Sequence, residues 1–430
     1  MSVINKLRLL RQVRKNQWLK TSELEELQAK KLRAIVKHAY ENTEFYHRKF
    51  KDAGVRPEDI KTVDDLKKIP FTTKEELREH STGSILAKGV DLKKCLVTET
   101  SGSTGIPTKI VYDKNADDFS KAINLRSYME NGLRLRSKWA VFKDPHHFQK
   151  QQWFQRLRIF SPLQLSVFDT TDTQISILRK FKPDVLDGYT SSIRLLAKAV
   201  EEQGIEDIKP KVVFGTSELL DNETRKYINS VFDVEMVDFF GCVELNRTAW
   251  ECSEHVGYHI DIDAVVMEFV RDGAGVSAGE RGEIVYTGLY NYAMPLIRYE
   301  VGDIGVPSDE TCPCGRGLPL MKVVEGRTDS FMQVPDGRMF SPIIWTAIMR
   351  RIPGVGQFKA IQERTDLIRI LLVKTDEFTH RTIDQIEADI KDVMGEDMNV
   401  ETEIVDEIPK DKSGKVRAAV SKVGVGWGLG

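Results

Sequence analysis

The chain has 430 residues, of which 30% are charged and 41% hydrophobic, the make-up of a globular protein large enough for two or more domains. Lys and Arg number 63 against 65 Asp and Glu, so the formal net charge is only −2 and no basic field exists to recruit nucleic acid. Met1 to Arg14 is basic without the continuous apolar core of a secretory signal, and no later run approaches the ~18 apolar residues of a membrane span; the expectation is a cytoplasmic protein without membrane contact.

From Glu23 to Phe50, apolar residues including Leu24, Leu32, Ile35, Val36 and Ala39 recur at helical spacing, which predicts one amphipathic helix. After Pro70, Thr72 stands three residues before Glu75 and Thr73 three before Glu76, so either pair can form the capping box of a further helix. In the middle of the chain, strand-like runs at Lys211–Phe214, Glu235–Phe239 and Val265–Val270 alternate with helical stretches at Thr190–Glu202 and Asp221–Val231, an α/β pattern. Short strands at Ile284–Tyr286 and Ile297–Tyr299 resemble barrel or sheet-edge material. The last hundred residues read helix, strand, helix, strand at Ile343–Arg351, Leu367–Val373, His380–Met394 and Val400–Val405. That order predicts a small α+β domain, with a hinge near Asp329. The division is therefore 1–328 and 329–430.

The segment from Thr100 to Lys109, between strand-like Cys95–Val97 and Ile110–Tyr112, carries Ser101, Gly102, Ser103, Thr104 and Gly105. Small residues let backbone N–H groups approach phosphate oxygens, and the hydroxyls add donors. Taken alone it is also a plain Ser/Gly turn, and no Gly-Lys-Ser/Thr ends it as in a Walker loop. Five further segments follow in order: Phe214-Gly215-Thr216-Ser217-Glu218, Phe240-Gly241-Cys242-Val243-Glu244, Pro295 to Asp303, Gly326-Arg327-Thr328-Asp329, and Pro409 to Arg417 with Lys415 after Gly414.

The ordered set resembles the signatures of the adenylate-forming superfamily, which includes acyl-CoA synthetases, peptide-synthetase adenylation domains and luciferases. The resemblance implies a large multi-subdomain N-terminal adenylation domain of α/β class with a small mobile α+β lid. It further implies that Ser101 to Gly105 hold phosphates, that Gly215, Ser217, Glu218, Phe240 and Gly241 lie at the nucleotide, and that Glu244 helps hold Mg²⁺. Val243 departs from the family's Thr, which removes one hydroxyl near the α-phosphate. Asp303 would accept from the ribose hydroxyls, Arg327 would lie near the ribose, and Lys415 would be the catalytic lysine. His38-Ala39-Tyr40-Glu41-Asn42, Asp64-Asp65-Leu66 and Ile69-Pro70-Phe71-Thr72-Thr73-Lys74 look like the phenylacetate-CoA ligase branch. That branch includes capsule-biosynthesis relatives and a synthetase acting on a flavin-like hydroxyl.

The implied function is ATP-dependent activation of a small aromatic acid to acyl-AMP and transfer to coenzyme A. The alternative is adenylyl or acyl transfer to a hydroxyl, amine or carrier-protein thiol. A non-catalytic scaffold has no use for Glu244, Asp303, Arg327 and Lys415 together. The expected partners are the acid, ATP and coenzyme A; a homodimer is compatible with the sequence.

Five cysteines are too few for a disulfide scaffold in a chain this long. Cys252 with His255, and Cys312 with Cys314, can make a closed Cys₃His zinc site, with His259 as rival fourth ligand. Buried reduced thiols would give the same spacing. Between the phosphate loop and Gly215, the segment Asp144-Pro145-His146-His147-Phe148 is a candidate acid contact, and Trp153, Phe154, Tyr189 and Phe239 are candidates for an aryl wall or for core.

Overall fold

A computed structural model describes residues 3–80, 83–99, 108–218, 220, 222–323, 332–340, 343–349, 351–408 and 419–423. Helix α1 (Val3–Asn16) is followed by α2 (Thr21–Asn42) and α3 (Glu44–Asp52), so the expected single helix is two. The break falls at Thr43, whose extended backbone stops α2. Its hydroxyl donates to the Ala39 carbonyl (2.8 Å) and accepts from the Tyr46 N–H (3.2 Å). One side chain thus ends one helix and caps the next.

Of the two capping boxes, Thr73 and Glu76 form theirs reciprocally, at 2.9 and 3.2 Å, and open α4 (Lys74–His80). Thr72 instead bridges to Tyr299, with its hydroxyl donating to the Ile297 carbonyl. Strands β1 (Leu96–Glu99) and β2 (Lys109–Tyr112) pair antiparallel and lead into α5 (Lys114–Glu130). The expected phosphate loop between them, residues 100–107, lies outside the described residues.

The strands that follow are β3 (Trp139–Lys143), β4 (Pro162–Ser166), β5 (Val185–Tyr189), β6 (Val212–Thr216), β7 (Met236–Cys242), β8 (Asn246–Glu251) and β9 (Tyr258–Ile260). Then come β10 (Val265–Arg271), β11 (Ala274–Gly275), β12 (Gly282–Gly288), β13 (Tyr299–Ser308) and β14 (Leu320–Val323). Among the described residues these twelve form one sheet, ordered β11-β10-β12-β13-β14-β9-β8-β7-β6-β5-β3-β4.

From β4 to β7 the pairing is parallel, and from β7 to β11 it is antiparallel. Helices α6 (Thr171–Phe181), α7 (Thr190–Glu202) and α8 (Asn222–Phe232) are the crossovers. They pack Leu178, Ile193, Leu196, Val200, Ile228 and Phe232 on one face, against Phe142, Leu186 and Val213. Phe214 and Phe239 point to the other face, where α2 and α5 contribute Leu32, Ile35, Phe119 and Ile123. The strands expected to be barrel-like are therefore the antiparallel continuation of the same sheet.

After residue 332, strands β15 (Met332–Gln333) and β16 (Met339–Phe340) precede α9 (Ile343–Met349), β17 (Val355–Arg364), β18 (Leu367–Lys374), α10 (His380–Met394), β19 (Asn399–Ile404) and β20 (Ala419–Ser421). A sheet ordered β19-β18-β17-β20 encloses its own core of Trp345, Phe358, Ile370, Leu372, Ile386 and Ile390. This matches the α+β order expected, with β17 added. The expected hinge at Asp329 lies outside the described residues. Among the described residues no helix is long and apolar enough to cross a membrane.

The N-terminal helices are fixed by a fully buried ion cluster. Arg126 on α5 pairs with Asp261 and with Asp263, and donates to the Val13 carbonyl at 2.9 Å. Asn16 and Lys31 reach the carboxylate and the carbonyl of Asp263 at 2.9 and 2.6 Å, and the charges of Arg126 and then Lys31 hold Asp263 below the usual carboxylate range despite its burial. Burial pushes Asp261 up to about 6 against the attraction of Arg126.

Arg126→Met leaves two buried carboxylates facing each other without a cation. It should lower stability by about 3–5 kcal/mol, read as a shift of the first urea-unfolding transition. A midpoint unchanged from wild type would show that the cluster is dispensable.

Candidate active site

The parallel strands β3, β5, β6 and β7 all end on one side of the sheet, and the sheet changes from parallel to antiparallel between β7 and β8. Open α/β sheets bind ligands outside such carboxyl ends. Most of the described residues expected at the nucleotide gather there. Gly215 is the next-to-last residue of β6, where a Cβ would sit 2.6 Å from the Met236 terminal methyl and 3.1 Å from Asp238 Oδ1, so a larger residue would have to displace the Met236 side chain. Ser217 is held at φ 68°, left-handed for a residue with a side chain, and is exposed at the strand end. Glu218 follows it, half-buried. The Tyr189 hydroxyl is pushed up to about 12 by burial and by the charges of Asp144 and Glu218, which puts these three groups in one neighbourhood.

Phe240 and Gly241 precede Cys242, the last residue of β7, and a Cβ on Gly241 would meet the Arg247 Cα at 2.8 Å. The turn that follows is held by three tyrosines. Tyr112 donates to the Glu244 carbonyl at 2.6 Å, Tyr290 to the Leu245 carbonyl at 2.8 Å, and Tyr299 to Glu244 Oε1 at 2.7 Å. Glu244 is 3% exposed, so its carboxylate direction is set by Tyr299. Asp303 lies half-buried on β13. The Cys242 thiol is pushed up by burial, then by Glu244 and Asp303, which brings both carboxylates to one thiol. Ser101 to Gly105, Arg327 and Lys415 lie outside the described residues.

Several contributors carry no local signal in the sequence. Tyr112, on β2, and Tyr290, in the segment after β12, are far from Glu244 in the chain, and only their tertiary hydrogen bonds to the turn reveal them. Arg247 lies with its guanidinium 3.6 Å from the Phe239 ring centre and 4.3 Å from that of Tyr128. Tyr128 also packs its ring 5.0 Å from Trp139, Phe214 and Phe239. Among the expected aryl-wall residues, Phe239 joins this cluster, whereas Trp153 is 64% exposed and meets Phe154 edge-on. Pro145 to His147 form a short 3₁₀ turn with His147 exposed.

The thiols assemble differently from the C-x₂-H reading. His255 does not join them. A turn closed by its N–H on the Cys252 carbonyl, with φ at 50°, points its ring at Arg225 (3.2 Å) and Glu251 (3.5 Å). His259 is the fourth member, because β9 pairs with β8 on one side and β14 on the other, setting His259 opposite Trp250 and Leu320.

Its Nε2 lies 3.4 Å from Cys252 Sγ and 3.4 Å from Cys314 Sγ, and the Cys252 and Cys312 sulfurs are 3.6 Å apart. All four ligand atoms fall within 4.8 Å of one another. Burial lowers His259 to about 4, so the ring is neutral, while burial pushes Cys252 up to about 12.

Residues 332–422 match the family model of the CapK C-terminal domain. A phenylacetate-coenzyme A ligase of Escherichia coli is 30% identical over 74% of this chain and 74% of its own. One from Thermus thermophilus is 26% identical over 93% and 96%, and Protein CapK of Staphylococcus aureus 24% over 94% and 90%. A 2-hydroxyisobutyryl-CoA ligase structure superposes with a TM-score of 0.67 at 19% identity, covering 96% of this chain and 92% of that one, which shows the shared fold. On these matches the chain belongs to the phenylacetate-coenzyme A ligase family and is an AMP-forming ligase.

Proposed function

We propose that this chain activates a small aromatic carboxylic acid with ATP as its acyl-adenylate and transfers the acyl group to coenzyme A. The observation that carries the reading is the Glu244 turn, fixed by three tyrosines at the point where the sheet changes direction. Family membership supports the acid and the thiol acceptor, and the ring cluster of Tyr128, Phe214 and Phe239 supports an aromatic acid. With ATP and coenzyme A as substrates, the activity belongs in the cytoplasm.

In the first step the acid's carboxylate attacks the α-phosphate in line and pyrophosphate leaves. The chain's task is positioning and neutralising charge. Asp303 presents an ionised acceptor suited to a vicinal diol. Glu244 is the residue that would hold Mg²⁺, which supplies positive charge at the phosphates. By resemblance, Ser101 to Gly105 take the departing phosphates, Gly215 to Glu218 the adenine, Arg327 the ribose and Lys415 the charge developing at the α-phosphate. In the second step the thiol, losing its proton, attacks the acyl carbonyl of the adenylate, the acyl–phosphate bond breaks and AMP leaves, while movement of the C-terminal unit about Asp329 withdraws Lys415 and admits the acceptor.

Cys252, His259, Cys312 and Cys314 fit a structural zinc. A tetrahedron with zinc–sulfur bonds of about 2.3 Å and zinc–nitrogen bonds of about 2.0–2.1 Å has edges of roughly 3.5–3.8 Å; three of the six separations are 3.4–3.6 Å and none exceeds 4.8 Å. His259 Nδ1 faces the Leu318 carbonyl at 3.4 Å, which would orient the ring.

Three outcomes test the reading. Pyrophosphate release should depend on an aryl acid, and thioester should form only with coenzyme A; adenylate without thioester would favour a different acceptor. Tyr299→Phe removes a hydrogen bond to a buried carboxylate and should raise the Mg²⁺ concentration for half-maximal adenylation about 10-fold, with an unchanged Mg²⁺ dependence counting against Glu244. Protein purified without chelator should contain one zinc per chain, and Cys312→Ser should lower Tm while His255→Ala leaves the metal content intact. Metal-free wild type would remove the site.

A further inference from the structure

Below the carboxyl ends of the parallel strands the sheet carries charge where an aryl pocket would carry carbon. On the face toward α5, Val141 on β3 lies opposite Asp187 on β5, which lies opposite Phe214 on β6. Asp187 is 2% exposed. Its Oδ2 accepts from the Tyr128 hydroxyl at 2.8 Å and the Trp139 indole at 3.2 Å, and its Oδ1 has no hydrogen bond among the described residues.

Lys143, two residues beyond Val141 and on the same face, is half-buried and forms no ion pair among the described residues; its electrostatic partner is Asp187. Arg247 closes the third side from its stack on Phe239 and Tyr128, three residues after Glu244. One turn thus joins this polar floor to the phosphate end of the site. Burial pushes Asp187 up to about 6 and the Lys143 ammonium down, a desolvation cost that a hydrogen-bonding ligand offsets.

We infer that the acid activated here bears a hydroxyl group remote from its carboxylate, which donates to Asp187 Oδ1 and accepts from Lys143 Nζ. The inference rests on the acid-activation reading and narrows its substrate class. A hydroxyl satisfies both side chains with one atom: an ammonium would meet Lys143, a second carboxylate would meet Asp187, and a methyl would leave Asp187 Oδ1 and Lys143 Nζ without a partner. A site built to bond a hydroxyl discriminates strongly against the analogue lacking it, because its own buried groups are then orphaned.

ATP–pyrophosphate exchange on matched acids separates the two ideas. The probes are phenylacetate and benzoate, their ring-hydroxylated forms, and the methyl ethers of those forms. Wild type should prefer the hydroxylated acids over their parents by at least about 10-fold in kcat/KM and should use the ethers poorly. Lys143→Met, at a half-exposed position, should bring that ratio down several-fold, and Asp187→Leu, if it folds, should bring it near unity. Wild-type preference for the unhydroxylated parents, or a ratio untouched by Lys143→Met, overturns the hydroxyl assignment and leaves acid activation standing. Exchange with none of the acids overturns acid activation, and this inference with it.

Discussion

The Arg126 guanidinium serves two carboxylates where no water reaches, and much of the molecule is assembled around that imbalance. Through it α1, α5 and the Asp261–Asp263 turn are tied together. Asp261 also accepts from the Trp250 indole at 2.8 Å, and the Trp250 ring lies 5.4 Å from that of His259. Ion cluster and thiol cluster therefore form one continuous polar seam along β8 and β9. Such a seam is costly to bury and effective at fixing register, since a slip by one residue would strand each of these groups. β8 starts two residues after Glu244, so the register of the seam sets the position of the site.

The Glu244 turn illustrates how a carboxylate is aimed without apolar packing on every side. Two tyrosines bind the backbone carbonyls and a third binds the side chain, from β2, from the segment after β12 and from β13. Each bond contributes about 1 kcal/mol to stability. Their larger effect is angular, because three anchors from separate segments leave the carboxylate little freedom, and small misplacements of charge at a reacting phosphate are expensive in rate.

Local patterns were legible in the sequence, and cross-strand ones were not. The helices at Thr190–Glu202 and His380–Met394 were read to the residue, because caps and 3.6-residue periodicity are properties of contiguous chain. The α/β class and most strand positions followed from alternation. The break at Thr43 was missed because apolar periodicity runs through it, and only the double use of one hydroxyl reveals it. The choice between His255 and His259 was open for a related reason. Spacing favours His255, whereas ladders on both sides of β9 deliver His259, and the one with β14 joins residues about sixty positions apart. Val355–Arg364 does not read as a strand because its alternation fails at Gln362, a fully buried polar residue, and its pairing with β18 is bulged at both ends. The roles of Tyr112, Tyr290 and Arg247 depend on tertiary contacts alone.

The division of labour between strands bears on how such a pocket diversifies. Lys143 and Asp187 sit on β3 and β5, which supply none of the Glu244 anchors, whereas the turn after β7 and the start of β8 carry Glu244 and Arg247 within four consecutive positions. On the roles proposed above, exchanges on β3 and β5 alter which organic acid is admitted while leaving the nucleotide chemistry assigned to Glu244 alone. Exchanges on the β7–β8 turn change both at once. A lineage exploring new substrates, or an engineer doing the same, is thereby channelled to one edge of the sheet.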